Sequence, residues 1–192
     1  MKYRATLHGR TFTFSSVREI LAKANEIKSG DQMLGIAADS ATERIAARYA
    51  LSELTLEAVR NDPVVPYEED EVTRVIEDGI NETIFARIKG WTVGELREHL
   101  LDHDVDSDEI HRISRALTSE TIAGVAKLMS NMDLVYAASK IRVTATANTT
   151  LGLEGTLSYR LQPNHPTDSW AAIVASIMEG LSYGSGDAII GI

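Results

Sequence analysis

The chain has 192 residues, 44% of them hydrophobic, enough to bury a core as one domain or two small ones. Its 28 acidic and 19 basic residues give a formal net charge of −9, which argues against a nucleic-acid footprint. No cysteine is present, which excludes a disulfide framework and thiolate chemistry. No apolar run reaches the length of a membrane span, and the polar amino terminus lacks a signal-peptide core, so a soluble cytoplasmic protein is expected.

In chain order, the first element is a hairpin. Tyr3, Ala5 and Leu7 alternate, His8-Gly9 turns, and Phe12 and Phe14 alternate on the return. Helices follow, each with a legible start. Ser16 with Glu19 predicts a capping box for a helix bearing Val17, Ile20, Leu21, Ala24 and Ile27, ended by Gly30. Ser40 with Glu43 repeats the device for a helix through Ile45, Ala46 and Tyr49. Thr55 opens a short helical turn closed off by Pro63, and residues 61–66 form a rigid connector with two of the four prolines.

From Val72 to Ile88 an apolar residue stands at every fourth position, which predicts one long helix with Gly79 as its weak point and Gly90 as its stop. Thr92 with Glu95 caps the next helix, Asp106 or Ser107 a further one, and Thr118 or Ser119 the helix bearing Ile122, Val125, Ala126 and Met129. Leu134, Ala138 and Ile141 extend that helical run. Between Arg142 and Gly152 the text changes to Thr, Ala and Asn, and the boundary is set there: residues 1–150 helical with a hairpin, 151–192 a second domain. No repeat of about 20–50 residues recurs.

The second domain opens on GTLSYRLQPN, residues 155–164, read as a strand halted by Pro163. Residues two apart on a strand share a face, so Arg160 and Gln162 project to one side and Leu161 to the other. Thr167 or Asp168 caps a helix whose Trp170, Ile173, Val174, Ile177, Met178 and Leu181 form an apolar stripe, read as core and not as a membrane face because its polar side lacks Lys and Arg. Gly180, Gly184 and Gly186 turn the chain into a second strand, residues 187–192. Strand, helix and strand make one right-handed βαβ unit, and such folds bind ligands at the carboxyl ends of their strands, where Arg160 and Gln162 stand.

Other apparent motifs carry less. Asp102, Asp104, Asp106 and Asp108 alternate like a calcium loop but lack the glycine and glutamate that it needs, and read as a capping loop. His99 and His103 have metal-ligand spacing, yet Leu100 follows His99 where zincin chemistry needs Glu, so no metal is expected. A metal hydrolase built on residues 99–111 is the competing enzyme reading. Residues 67–71 (YEEDE) read as an acidic helix start, and the three late glycines fail as a phosphate loop because a strand follows them.

RLQPN, the flanking runs KIRVTATANTTLGLEGT and EGLSYGSGDAIIG, and the earlier LAKANEIKSGD, NDPVVPYEEDEVTRVI and LTSETIAGVAKLMSN together resemble the large subunit of ethanolamine ammonia-lyase. The resemblance runs collinearly over the whole chain and covers only the front of such subunits. It implies an α/β chain whose last residues are the first βαβ unit of a (β/α)8 TIM-type barrel. It also implies radical deamination of ethanolamine to acetaldehyde and ammonia with adenosylcobalamin.

The implied substrate site is Arg160, Leu161 and Gln162, with guanidinium donors for the hydroxyl oxygen and the glutamine carbonyl for the ammonium. The implied partners are ethanolamine, the small subunit and further copies of the large subunit, without nucleic acid or membrane. The implied location is the cytoplasm or a bacterial microcompartment. The family's remaining substrate contacts and most of its cobalamin contacts fall beyond Ile192, and Tyr159 is bulkier than the residue expected beside the arginine. The 192 residues alone are accordingly expected to be inactive and to self-associate through uncovered barrel strands. A reading of another class is a non-catalytic helical assembly module that docks on a partner chain.

Overall fold

The computed structural model describes residues 3–164, 167 and 169–187, which divide into two units, Met1–Ile141 and Arg142–Ile192. The first is helical with one antiparallel hairpin. Strands β1 (Tyr3–Leu7) and β2 (Arg10–Phe14) pair with Ala5 opposite Phe12. Their two-residue turn has φ of 49° at His8 and 75° at Gly9, the left-handed backbone that a tight hairpin requires. The alternation comes out as expected: Ala5, Phe12 and Phe14 are buried.

The helices after the hairpin start where their caps predict. Helix α1 (Val17–Lys23) is capped by Ser16, but Glu19 closes the box one residue further out, accepting from the Ser15 N–H at 2.7 Å. This helix is shorter than expected. It ends at Ala24, Ile27 is 57% exposed, and Gly30 lies inside a separate short helix α2 (Ser29–Met33), held to the preceding turn by Asn25 donating to Asp31. Helix α3 (Ala41–Ser52) is capped by Ser40 and α4 (Leu56–Arg60) by Thr55.

The long helix predicted from Val72 to Ile88 is two. Helix α5 (Glu71–Asp78), capped by Asp70, stops at Gly79, and α6 (Glu82–Ile88) restarts under Asn81. Glycine is a poor helix former and asparagine a good cap, and the Asn81 N–H is drawn off to the Arg115 carbonyl at 2.8 Å. The front of the stripe therefore leaves the core: Val72 is exposed, whereas Phe85 and Ile88 are buried.

Helix α7 (Val93–Leu101) has the full Thr92–Glu95 capping box, α8 (Ser107–Ser114) is capped by Asp106, and α9 (Ser119–Leu128) by Thr118. The residues expected to prolong α9 form a separate helix α10 (Asn131–Lys140), because Ser130 and Asp133 make a second capping box.

Two helix starts are paired with each other. Thr55 and Thr92 form an antiparallel bridge, and the Leu56 N–H to Trp91 carbonyl and Val93 N–H to Leu54 carbonyl bonds are both 2.8 Å. Around this point Leu51, Leu56, Val93 and Leu96 are wholly buried, with Ile20 and Val17 beside them in the same core. Asp62 ties in the hairpin end, accepting from the Val17 N–H at 2.8 Å.

The second unit has little regular structure among its described residues. Strands β3 (Ala145–Thr146) and β4 (Thr150–Leu151) make a very short antiparallel pair. Gly152, at φ +88°, leaves the space that the Val143 carbonyl occupies. Residues 156–160, predicted as a strand, have no ladder among the described residues; a strand needs a neighbour for its N–H and C=O groups, and Leu161 finds one, its N–H donating to the Asp187 carbonyl at 2.9 Å.

Helix α11 (Trp170–Ser182) is present as expected, though Ser169, not Thr167, stands at the cap position and makes no side-chain capping bond; Asp168 lies outside the described residues. Its stripe is not core. No residue of α11 is buried, and Trp170 is 78% exposed. The second strand falls, apart from Asp187, outside the described residues.

Two outcomes follow from the first unit. Leu51→Ala is expected to cost about 2–5 kcal/mol in urea unfolding, as a fully buried leucine does, while Val72→Ala on the exposed front of α5 stays within about 0.5 kcal/mol.

The second concerns pH. Asp133 is held below the usual carboxylate value, first by the Ser130 N–H and then by Arg97. A depressed folded value stabilises above the ordinary carboxylate range and is lost as the pH falls through it. Asp133→Asn should therefore lower stability at pH 7, and its difference from the parent chain should start to shrink as the pH falls to about 4 and vanish only below the depressed value of Asp133, read as unfolding midpoints across that range.

Candidate functional site

The RLQPN segment sits between the β3–β4 loop and α11. Leu161 is half-buried, and its side chain fills the space that a Cβ on Gly180 of α11 would need. Its flanking residues Arg160 and Gln162 are both exposed, and Pro163 is buried. Among the described residues Arg160 makes no ion pair.

The segment's far support is Asp187. It accepts from the Asn148 N–H at 3.0 Å, the Thr149 N–H at 3.2 Å and the Thr149 hydroxyl, while its carbonyl holds Leu161. These bonds, led by the Thr149 hydroxyl, hold its carboxyl below the usual range. The arrangement chains Asn148–Thr149, Asp187 and Leu161 together, leaving a guanidinium and a carboxamide exposed on either side of Leu161. Such a pair offers several donors and one strong acceptor to a small polar molecule. The small cavity of this unit, about 170 Å³, is lined by Thr149, Leu157 and Tyr159 and includes neither Arg160 nor Gln162.

The competing cluster at residues 99–111 has other occupations. His99 packs on Trp91, ring centroids 4.8 Å apart, with its Nε2 3.7 Å from Glu109, and His103 is exposed. Asp102 accepts from the Asp104 N–H and Asp106 caps α8, so these carboxylates serve as turn and cap residues. No three His, Cys, Asp or Glu among the described residues are grouped to hold a metal. Asp70 of the YEEDE run caps α5, accepting from the Thr73 N–H at 2.7 Å.

One polar network escapes sequence reading. Arg60 donates to Glu77 at 2.8 Å and to both oxygens of Glu82, and lies over the Phe85 ring at 4.6 Å. Its own pKa is raised, first by the Glu82 hydrogen bonds. It borders a cavity of about 800 Å³, lined also by Glu57, Tyr67, Asp78 and Lys89. No periodicity or spacing joins Arg60 to Glu82.

Comparison with known proteins places the chain. Residues 12–192 match the family described as "Ethanolamine ammonia lyase large subunit (EutB)". The ethanolamine ammonia-lyase large subunit of Salmonella typhimurium (strain LT2) is 51% identical over all 192 residues, and that of Escherichia coli (strain K12) is 50% identical over the same length. The match runs over the whole chain and is not a shared local motif. The chain belongs to the ethanolamine ammonia-lyase large-subunit family. It spans 42% of the length of these relatives.

The Gly180–Leu161 contact can be probed directly. Gly180→Ala should dislodge Leu161 and speed tryptic cleavage after Arg160 severalfold, with cleavage after Arg142 as internal reference; an unchanged ratio would show that the segment does not depend on α11.

Proposed function

We propose that this chain is the amino-terminal part of a large subunit that deaminates ethanolamine to acetaldehyde and ammonia. The observation that carries the reading is the 50–51% identity to named ethanolamine ammonia-lyase large subunits over the full 192 residues. Residues from 151 onward are read as the start of a (β/α)8 TIM-type barrel, with residues 1–150 as a helical region that precedes it in the chain. The sequence order of extended run, helix α11 and apolar run supports this reading, and the Leu161 N–H donating to the Asp187 carbonyl joins the two runs where the second one starts.

In this reading Arg160, Leu161 and Gln162 form part of the amino-alcohol site. The Arg160 guanidinium donates to the substrate hydroxyl oxygen, and the Gln162 carbonyl accepts from the ammonium. Leu161 anchors the pair through its contact at Gly180. Closure of the site by the rest of the barrel would exclude water and strengthen both hydrogen bonds.

The cofactor of the reading is adenosylcobalamin, which supplies hydrogen abstraction from substrate when bound. The cavity bordered by Arg60 does not fit it: it is ringed by Glu57, Glu77, Asp78 and Glu82, and its buried ring, Phe85, is already covered by Arg60. Its seat is assigned to the remaining length of the enzyme and to a small subunit. A cytoplasmic or microcompartment location, and assembly of several large subunits, belong to the same reading. No helix among the described residues is long and apolar enough to cross a membrane.

The test is acetaldehyde release from ethanolamine by the full-length large subunit, assembled with its small subunit and adenosylcobalamin. Gln162→Ala in that assembly should lose about 1–3 kcal/mol of kcat/KM, the cost of an unpaired polar partner in a closed site. Arg160→Lys should also fall, because a point charge does not replace a planar fork of donors. Unchanged kinetics in the Gln162 variant would remove it from the site.

A further inference from the structure

A cavity of about 530 Å³ lies in the first unit where the end of α1, the middle of α3 and the α9–α10 turn meet. Its lining combines apolar Ala126, Met129 and Leu134 with Asn25, Glu26, Arg48 and Lys127. Lys127 is half-buried, and its ammonium donates to the Asn25 carbonyl oxygen at 3.3 Å. Among the described residues it has no carboxylate within ion-pair distance.

The acids nearby are occupied. Asp31 accepts from the Asn25 amide at 3.0 Å, and the exposed Glu26 is held by Arg48 at 2.5 Å and Arg44 at 3.8 Å. Burial, then Lys28, lowers the pKa of Lys127, with Arg48 acting in the same sense and Asp31 against it.

A cation withdrawn from water beside two like charges, and held by one neutral oxygen, lacks a counter-charge. Of the charged residues that line the cavity, Glu26 and Arg48 pair with each other, which leaves Lys127 as the cation without a carboxylate among the described residues. We propose that the cavity binds a small phosphate-bearing molecule, with Lys127 and Arg48 meeting the phosphate and Ala126, Met129 and Leu134 holding its organic part. A phosphate oxygen can take the remaining ammonium protons of Lys127, and its compact multiple charge suits paired cations better than a carboxylate. The site is separate from the RLQPN segment and does not depend on the deamination reading.

The experiment is phosphorus NMR line broadening of inorganic phosphate and of phenyl phosphate by the 192-residue chain at constant ionic strength. Both probes should broaden, phenyl phosphate at the lower concentration. Lys127→Met should weaken binding about tenfold, the loss of one charge-assisted contact, and Lys127→Arg should restore it. Lys28→Gln, on the surface, is the second variant and should weaken binding less, whatever becomes of the Lys127 variants' folding. Lys89→Met, whose lysine pairs with Glu57 elsewhere, is the reference expected to behave as the parent. Absence of broadening, or equal broadening by the parent and Lys28→Gln with Lys127→Met unaltered, overturns the site. Equal binding of the two probes overturns the apolar seat.

Discussion

The antiparallel pairing of Thr55 with Thr92 is the constraint on which the helical unit turns. Each threonine caps its own helix through its hydroxyl, so each start would otherwise face water with unsatisfied backbone groups. By pairing the two starts, the chain satisfies those groups in the interior and fixes α4 against α7. Leu51, Leu56, Val93 and Leu96 then fall around one point. The close fit shows at Gly94, where any Cβ would lie 3.0 Å from the Ser52 carbonyl oxygen. Gly124 has the same character, facing Leu51, Leu21 and Val93.

Around this core the acidic surplus has a structural use. Asp70, Asp106 and Asp133 stand at or beside helix starts, where backbone N–H groups and the helix dipole favour negative charge. Arg60 and Arg97 then tie such carboxylates between helices, Arg97 reaching Asp133 at 2.7 Å and so joining α7 to α10. A net charge of −9 is thus in part the sum of many capping residues, which explains why it announces no ligand.

The local grammar of this fold was legible in the sequence. Ser40, Thr55, Thr92 and Asp106 name their helices because a cap acts within three residues. Ser130 was overlooked although it carries the same signature with Asp133, and the long helix failed at the glycine already marked as weak. Residues 156–160 could not be judged alone, since a strand is a statement about a neighbour as much as about itself. At the site, Arg160 and Gln162 stood out by motif and spacing. The Lys127, Asn25 and Arg48 pocket did not, because its members are brought together across as many as 102 positions.

The grip of Asp187 on Asn148 and Thr149 ties together two points 38 and 39 positions apart. A tether of that span removes much of the closure entropy that the intervening segment would otherwise lose on ordering. Once the ends are joined, lengthening the loop between them costs little, because closure entropy grows only slowly with length. Releasing the knot, by contrast, frees α11 and the RLQPN stretch at once. Asp187 thus holds Leu161, the residue next to Arg160, to the β3–β4 loop, as a clasp holds the lie of a chain.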